Sequence, residues 1–459
     1  MAGRLPDEIF KAYDIRGVVG DTLTDEIVRD IGHAIGSEAR DNDVETVVIG
    51  RDGRMSGPVL LDALASGLMS AGCNVIDIGM APTPLVYFAA FELNTHSAVA
   101  LTGSHNPPSY NGLKMVIAGE TLSGERIQGL KQRIERSDLV DGQGTRLERS
   151  LSAAYIDRIC SDVKPARQLK VVIDCGNGVA GAVAPELFRR LGCDVVDLYC
   201  EVDGSFPNHH PDPSQEENLK DLIETVHREK ADVGLAFDGD GDRLGVVSPD
   251  GSIIWPDRQM ILFARDILER EPGAEIIFDV KCSRNLAKAI REAGGRPVMW
   301  RTGHSFIKAK LKESGAALAG EMSGHIFFQE RWYGFDDGLY AGARLIELLS
   351  RDERSTGEIF EALPDSCNTP ELRIEMEEGE HFKFMAELEK TANFSDGKVS
   401  TIDGVRVDFD DGFGLVRPSN TTPILVLRFE ADSPEALKRI QHIFRDWILA
   451  TRPDVEVPF

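Results

Sequence analysis

The stretch Thr102-Gly103-Ser104-His105-Asn106-Pro107-Pro108 organises the reading of this chain. It follows an apolar run, Ala98-Val99-Ala100-Leu101, which has the pattern of a buried strand. Glycine, asparagine and two prolines then end regular structure. Ser104 therefore falls in a loop at the carboxyl end of a strand, the end at which open α/β sheets bind ligands. A serine beside a histidine in such a place suits a nucleophile or a phosphoryl carrier. The same residue types also make ordinary turns, so the stretch gains its meaning from two later loops of the same kind.

Working outward, the surrounding unit recurs. Val47–Gly50, a Gly-rich turn, a helical stretch from about Pro58 to Ala71 and a second strand through Val75-Ile76-Asp77-Ile78 form the first copy. Val171–Asp174, a helix ending near Arg190 and Asp194–Leu198 form the second. Ile276–Asp279, a helix from about Arg284 to Ala293 and Arg296–Trp300 form the third. Each reads as strand–helix–strand, the unit of a parallel or mixed sheet. Each copy adds a later strand that runs into an unusual loop: Ser97–Leu101 into Ser104, Ala231–Phe237 into Asp238-Gly239-Asp240-Gly241-Asp242-Arg243, and Ala316–Ala319 into Gly320-Glu321-Met322-Ser323-Gly324-His325. The last part differs. Strand-like segments at Glu371–Met376, Lys398–Ile402, Val405–Phe409, Gly414–Arg417 and Ile424–Glu430 precede a helix from Ser433 to Leu449, with Ser433 as N-cap. The spacing predicts three α/β domains over 1–149, 150–252 and 253–364 and a smaller α+β domain over 365–459.

The bulk composition agrees with several ordinary cores. The 459 residues are 42% hydrophobic and 28% charged. The net charge of −25 argues against nucleic-acid and anionic-membrane partners, which need a basic surface. Seven cysteines contain no Cys-x-x-Cys pair, so neither a disulfide framework nor a zinc site is indicated. The amino terminus lacks a signal-peptide pattern, no apolar run reaches the ~20 residues that span a bilayer, and a reducing cytoplasm is the expected compartment.

Asp238, Asp240 and Asp242 alternate with glycines, which let the backbone bend tightly and bring three carboxylates to one point. Such a set suits Mg²⁺, because three converging aspartates with no counter-charge but Arg243 would otherwise repel one another. An EF-hand is rejected, because Arg243 and Pro249 stand where that loop needs Gly and Glu. Gly176-Asn177-Gly178-Val179-Ala180-Gly181 formally matches the dinucleotide fingerprint, with Asp197 downstream. That supports a rival oxidoreductase reading, which leaves the other loops unexplained. Glu321, Ser323 and His325 can hydrogen-bond vicinal sugar hydroxyls. Arg417-Pro418-Ser419-Asn420-Thr421-Thr422-Pro423 joins a guanidinium to neutral donors, a set suited to a phosphate that does not react. Tyr13 and Arg16, in Lys11–Gly17, and His304, after Thr302-Gly303, are less specific candidates.

Together the Thr-Gly-Ser-His-Asn-Pro, Asp-Gly-Asp-Gly-Asp-Arg, Gly-Glu-Met-Ser-Gly-His and Arg-Pro-Ser-Asn-Thr-Thr-Pro stretches resemble, in order, the four signature loops of the α-D-phosphohexomutases, bacterial phosphomannomutase/phosphoglucomutase branch. The resemblance spans nearly the whole chain. It implies four domains around a deep cleft, Ser104 as phosphoserine, and Mg²⁺ held by Asp238, Asp240, Asp242 and the phosphoserine. Glu321 and Ser323 would read sugar hydroxyls. Arg417, Ser419, Asn420 and Thr421 would hold the distal phosphate. Tyr13, Arg16, His105, Lys114, Arg243, Lys281, His304 and His325 would lie in or near the cleft, with Lys114 and His304 as alternative general bases. The implied reaction moves a phosphoryl group between the 1- and 6-positions of a hexose phosphate through a 1,6-bisphosphate, with glucose 1,6-bisphosphate as intermediate or activator and a monomer or weak homodimer as the assembly. Phosphoglucosamine mutase and a metal-dependent phosphatase with a serine nucleophile are the alternatives.

Overall fold

A computed structural model describes residues 5–420 and 422–459. Its first three sheets share one plan. In the first, Thr46–Arg51 lies between Asn74–Met80 and Ala98–Leu101, parallel to both, and Tyr110–Ile117 closes antiparallel on Ala98–Leu101. In the second, Lys170–Asp174 lies between Asp194–Leu198 and Val233–Phe237, with Leu244–Val247 antiparallel on the latter. In the third, Glu275–Asp279 lies between Arg296–Trp300 and Leu318–Gly320, with Ile326–Phe328 antiparallel. The repeat read from pattern is thus a repeat of topology. In all three, the special loop joins the third strand of the unit to its antiparallel fourth.

The first sheet is larger. Ile15–Val18 pairs antiparallel with Tyr110–Ile117, Arg16 opposite Gly112, which carries Arg16 to the same sheet end as Lys114. The helix after Ser56 spans Gly57–Ser70, and Asp25–Asp41 crosses it where Gly32 and Gly67 admit close backbone approach. Thr83–Glu92 is apolar on nearly all sides and buried through its first eight residues, as a helix enclosed by neighbours must be. It belongs to one apolar core that runs through all three α/β domains, taking Val86 and Phe88 from the first, Leu187 and Phe237 from the second, and Phe263 and Leu345 from the third.

The last domain keeps a separate core of Phe384, Leu388, Leu425, Leu427, Ile440 and Phe444. Its sheet is antiparallel, built on Ile424–Ala431 between Leu372–Glu375 and Gly412–Pro418. Ser433 caps Pro434–Thr451 by accepting the Ala436 N–H, as its residue type predicts. A second helix, Glu380–Thr391, is absent from the sequence reading. Its acidic approach (Glu377, Glu378, Glu380) and the exposed Phe382 blur the apolar stripe of Phe384, Met385 and Leu388. Among the described residues no helix is long and apolar enough to cross a membrane.

Candidate active site

Ser104 is held by a buried scaffold from the neighbouring strand end. Arg54 donates to four main-chain carbonyls around it: Ser104 at 2.8 Å, Asn106 at 2.6 Å, Pro107 at 2.5 Å and Tyr110 at 3.0 Å. Asp52 accepts from Arg54 Nε at 3.0 Å, from Thr102 Oγ1 at 2.8 Å and from the Gly103 N–H at 3.1 Å. A planar guanidinium with five donors can bracket a curved backbone in a way that an ammonium cannot. Ser104 itself has φ +48°, a left-handed conformation costly for a serine. The carbonyl contacts of Arg54 hold it there. Asp52 and Arg54 escaped the sequence reading because each looks like part of a Gly-rich turn.

The second domain meets this loop backbone to backbone. A Cβ on Gly239 would collide with the Ser104 carbonyl oxygen, so only glycine fits between Asp238 and Asp240. Ser104 Oγ donates to Asp238 Oδ2 at 3.1 Å and lies 3.2 Å from His105 Nδ1. Asp238, Asp240 and Asp242 are fully buried, with carboxylate oxygens mutually within 4.8 Å.

Arg243 is not their sole counter-charge, contrary to the sequence reading. Lys114 Nζ donates to Asp240 Oδ2 at 2.8 Å and also to Asp242 Oδ2. Lys114 lies on a different domain, on the strand antiparallel to the Ser104 strand, so no local pattern could reveal the pairing. Thr83 Oγ1 adds a hydrogen bond to Asp240 at 2.5 Å. Burial disfavours the Lys114 ammonium, but Asp240 and Asp242 hold its pKa well above the ordinary lysine value. Burial, together with Asp240 and Asp242, pushes Asp238 well up. Asp240 Oδ1 has no hydrogen-bond partner among the described residues. Three converging carboxylates with an oxygen left over fit a divalent cation.

The third domain contributes His325 and Glu321. His325 Nε2 lies 3.3 Å from Asp242 Oδ1, while Nδ1 lies 3.1 Å from Glu321 Oε2 and 2.9 Å from Ser323 Oγ. Burial alone would lower its pKa, yet these carboxylates raise it to about 9, so the ring is cationic. His304 opens the helix His304–Ser314 and stacks on His325 with ring centroids 5.5 Å apart. Burial first, then Lys308 and Lys114, pushes His304 well below the ordinary histidine range, so it is neutral. Burial, Arg243 and Arg16 do the same to His105. Arg243 Nε lies 3.3 Å from His325 Nε2, and Arg16 donates to Asn106 and Asp14.

A second group lies on the fourth-domain side. Arg417 donates to Asp403 at 2.9 Å, and Asp403 also accepts the Thr302 N–H at 3.0 Å, tying the fourth domain to the turn before His304. Asn420 donates to Tyr13 Oη, and Tyr13 donates to the Thr302 carbonyl at 3.2 Å, so one phenol joins the first, third and fourth domains. Lys281 donates to Glu371 across the third and fourth domains at 2.6 Å. Ser419 Oγ is 3.0 Å from Thr422 Oγ1, and its carbonyl meets His381 of the helix missed by the sequence reading. Thr421 lies outside the described residues. Glu321 Oε1 accepts the Gly303 N–H, so the sugar-loop candidate links this group to the aspartate cluster.

The dinucleotide reading does not survive the geometry. A Cβ on Gly181 would collide with the Cys200 carbonyl, and one on Gly178 would lie 3.0 Å from Gly239. These glycines serve close packing, and Asp197 is spent on an exposed ion pair with Arg189 at 2.6 Å.

Four family models cover the chain in order: phosphoglucomutase/phosphomannomutase α/β/α domains I, II and III over residues 7–141, 153–251 and 255–367, and the C-terminal domain over 371–446. The chain belongs to the phosphoglucomutase/phosphomannomutase family of α-D-phosphohexomutases. It is 57% identical over 458 residues to a phosphomannomutase/phosphoglucomutase of Pseudomonas aeruginosa, covering 100% of this chain and 99% of that one. It is 54% identical to a phosphoglucomutase of Neisseria gonorrhoeae, covering 95% and 96%. A crystal structure of a family protein from Burkholderia thailandensis superposes with a TM-score of 0.95 at 52% identity, covering 99% and 100%.

The Arg54 scaffold generates one prediction. Arg54→Met leaves Asp52 buried without its partner, a change that costs about 3–5 kcal/mol when a buried pair is broken. Hydrogen exchange of the backbone amides at 102–112 should then accelerate roughly a hundredfold or more, with Arg54→Lys failing to restore protection. Unchanged exchange in Arg54→Met would show that the Ser104 conformation does not depend on this guanidinium.

Proposed function

We propose that this enzyme interconverts hexose 1-phosphates and 6-phosphates of glucose, mannose or both, through a phosphoserine at Ser104 and a hexose 1,6-bisphosphate. The observation that carries the reading is the contact of Ser104 Oγ with Asp238 inside a buried cluster of three carboxylates that could hold a cation. Mg²⁺, held by Asp238, Asp240, Asp242 and the phosphoserine, would neutralise charge on the transferring phosphoryl group.

In the forward half-reaction the free sugar hydroxyl attacks the phosphorus of phosphoserine. The new O–P bond forms as the Ser104 Oγ–P bond breaks, and the hydroxyl proton must go to a base. His304 fits that role better than Lys114, because it is neutral and Lys114 is held protonated by two carboxylates. Arg243, Arg16 and the cationic His325 offset phosphoryl charge. Glu321 and Ser323 fix sugar hydroxyls. Arg417, Ser419, Asn420 and Thr421, with Lys281 and Tyr13 nearby, hold the phosphate that is not reacting. In the return half-reaction the bisphosphate presents its other phosphoryl group to Ser104. Neutral donors suit a site that must accept either end of the sugar.

Glucose 1-phosphate, mannose 1-phosphate and glucosamine 1-phosphate, assayed side by side, should give 6-phosphates from the first two. Chelation should abolish turnover and Mg²⁺ restore it. Release of free sugar and phosphate would instead establish a phosphatase, and glucosamine phosphate as the preferred substrate would relocate the enzyme within its family.

His304→Gln should lower kcat by about 10²–10⁴-fold, the range of a lost general base, with little change in KM. Lys114→Met removes a cation that occupies Asp240 and Asp242, and should lower the Mg²⁺ concentration that gives half-maximal turnover. The reverse pattern, with kcat intact in His304→Gln, would assign the base elsewhere.

A further inference from the structure

Two of the seven cysteines meet. Cys175 follows the strand Lys170–Asp174, and Cys200 follows its parallel neighbour Asp194–Leu198 by two residues. The register, Asp174 beside Leu198, brings the two strand ends together. The sulfurs are 3.5 Å apart, and among the described residues no other pair of thiols makes such a contact. Cys175 is fully buried, whereas Cys200 is only half-buried. The phosphoryl-transfer chemistry uses neither.

We propose that Cys175 and Cys200 form a peroxide-sensitive dithiol, a modification site whose disulfide displaces the aspartate loop of the second domain. Cys200 gives up its thiol proton and its sulfur attacks one oxygen of hydrogen peroxide; the O–O bond breaks, Cys200 becomes a sulfenic acid, and the departing hydroxide takes that proton and leaves as water. The Cys175 sulfur then attacks the Cys200 sulfur. The S–O bond breaks, and the hydroxyl departs as a second water with the Cys175 proton. Two thiols are oxidised and one peroxide is reduced. Burial pushes the Cys175 thiol well above its ordinary pKa, which makes Cys200 the sulfur that meets the oxidant first.

Forming the bond draws the sulfurs to about 2.05 Å. The surrounding backbone has little slack. The Gly178 N–H donates to the Cys175 carbonyl at 2.6 Å, and the Val179 N–H donates to the Gly239 carbonyl at 3.2 Å. Gly178 touches Gly239 closely, and Gly181 abuts the Cys200 carbonyl. Contraction at the thiols is therefore passed to Gly239, which sits between two of the three aspartates. The expected loss of turnover rests on the proposed mutase reading; formation of the disulfide does not.

The whole enzyme, reduced and then exposed to hydrogen peroxide, is alkylated after unfolding and mapped by mass spectrometry. The expected result is a Cys175–Cys200 cross-linked peptide, a mass lower by two hydrogens, faster hydrogen exchange at 236–243, and a loss of turnover that dithiothreitol reverses. Cys200→Ser and, independently, Cys175→Ala should keep turnover and no longer lose it to peroxide. Two thiols that remain alkylatable after peroxide would overturn the modification site. A disulfide without change in exchange at 236–243 would overturn its coupling to the aspartate loop. Inactivation that persists in both variants would place the sensitive group elsewhere.

Discussion

Three carboxylates confined to one buried loop cannot remain ionised together without cations placed among them, because the interior screens their repulsion poorly. Asp238, Asp240 and Asp242 impose that constraint on everything around them. The ammonium of Lys114 answers from the first domain, the imidazolium of His325 from the third, and Arg243 from the loop itself. The cluster is electrostatically complete only when three domains are assembled. The continuous apolar core through those domains holds that assembly in place. An oxygen of Asp240 still has no partner among the described residues, which leaves chemistry for a metal to complete.

Ser104 is the mechanical counterpart of that electrostatic arrangement. Its left-handed backbone persists because Arg54 fixes the carbonyls on either side of it. The hydroxyl is thereby aimed at Asp238 and not at solvent. At the other side of the site, side chains tie the fourth domain to the first and third: Asn420 to Tyr13, Lys281 to Glu371 and Asp403 to Thr302. Behind them Arg406 and Arg428 donate to the carbonyls of Val280, Lys281 and Cys282, and Val280 packs on Phe413 and Leu415. A highly charged pole around the aspartates and a second pole that adds neutral donors to Arg417 and Lys281 suit a ligand with a phosphate at each end.

Much of this was legible in the sequence because each candidate loop is local. Alternating Asp and Gly, a serine bracketed by Gly and Pro, and an Arg beside Ser and Asn carry their chemistry within six or seven residues. The repeated strand–helix–strand pattern was legible for the same reason, since hydrophobic periodicity is a short-range signal. What escaped depends on contacts between distant residues. Lys114 sits in an ordinary strand pattern and becomes the counter-ion of Asp240 and Asp242 only through domain packing. Arg54 and Asp52 read as turn residues until the Ser104 carbonyls are placed around them. The helix Glu380–Thr391 was lost because acidic residues at its start and an exposed Phe382 obscure its apolar face.

In the proposed cycle the serine hydroxyl carries the phosphoryl group between two ends of one sugar. The most direct measurement uses enzyme bearing a radiolabelled phosphoryl group on Ser104, mixed with unlabelled hexose 1-phosphate and sampled within the first turnovers. Label should leave the protein and appear in the hexose 6-phosphate or bisphosphate at the rate of product formation, while unlabelled phosphoryl takes its place on Ser104. Label that stays on the protein while 6-phosphate accumulates would contradict the account.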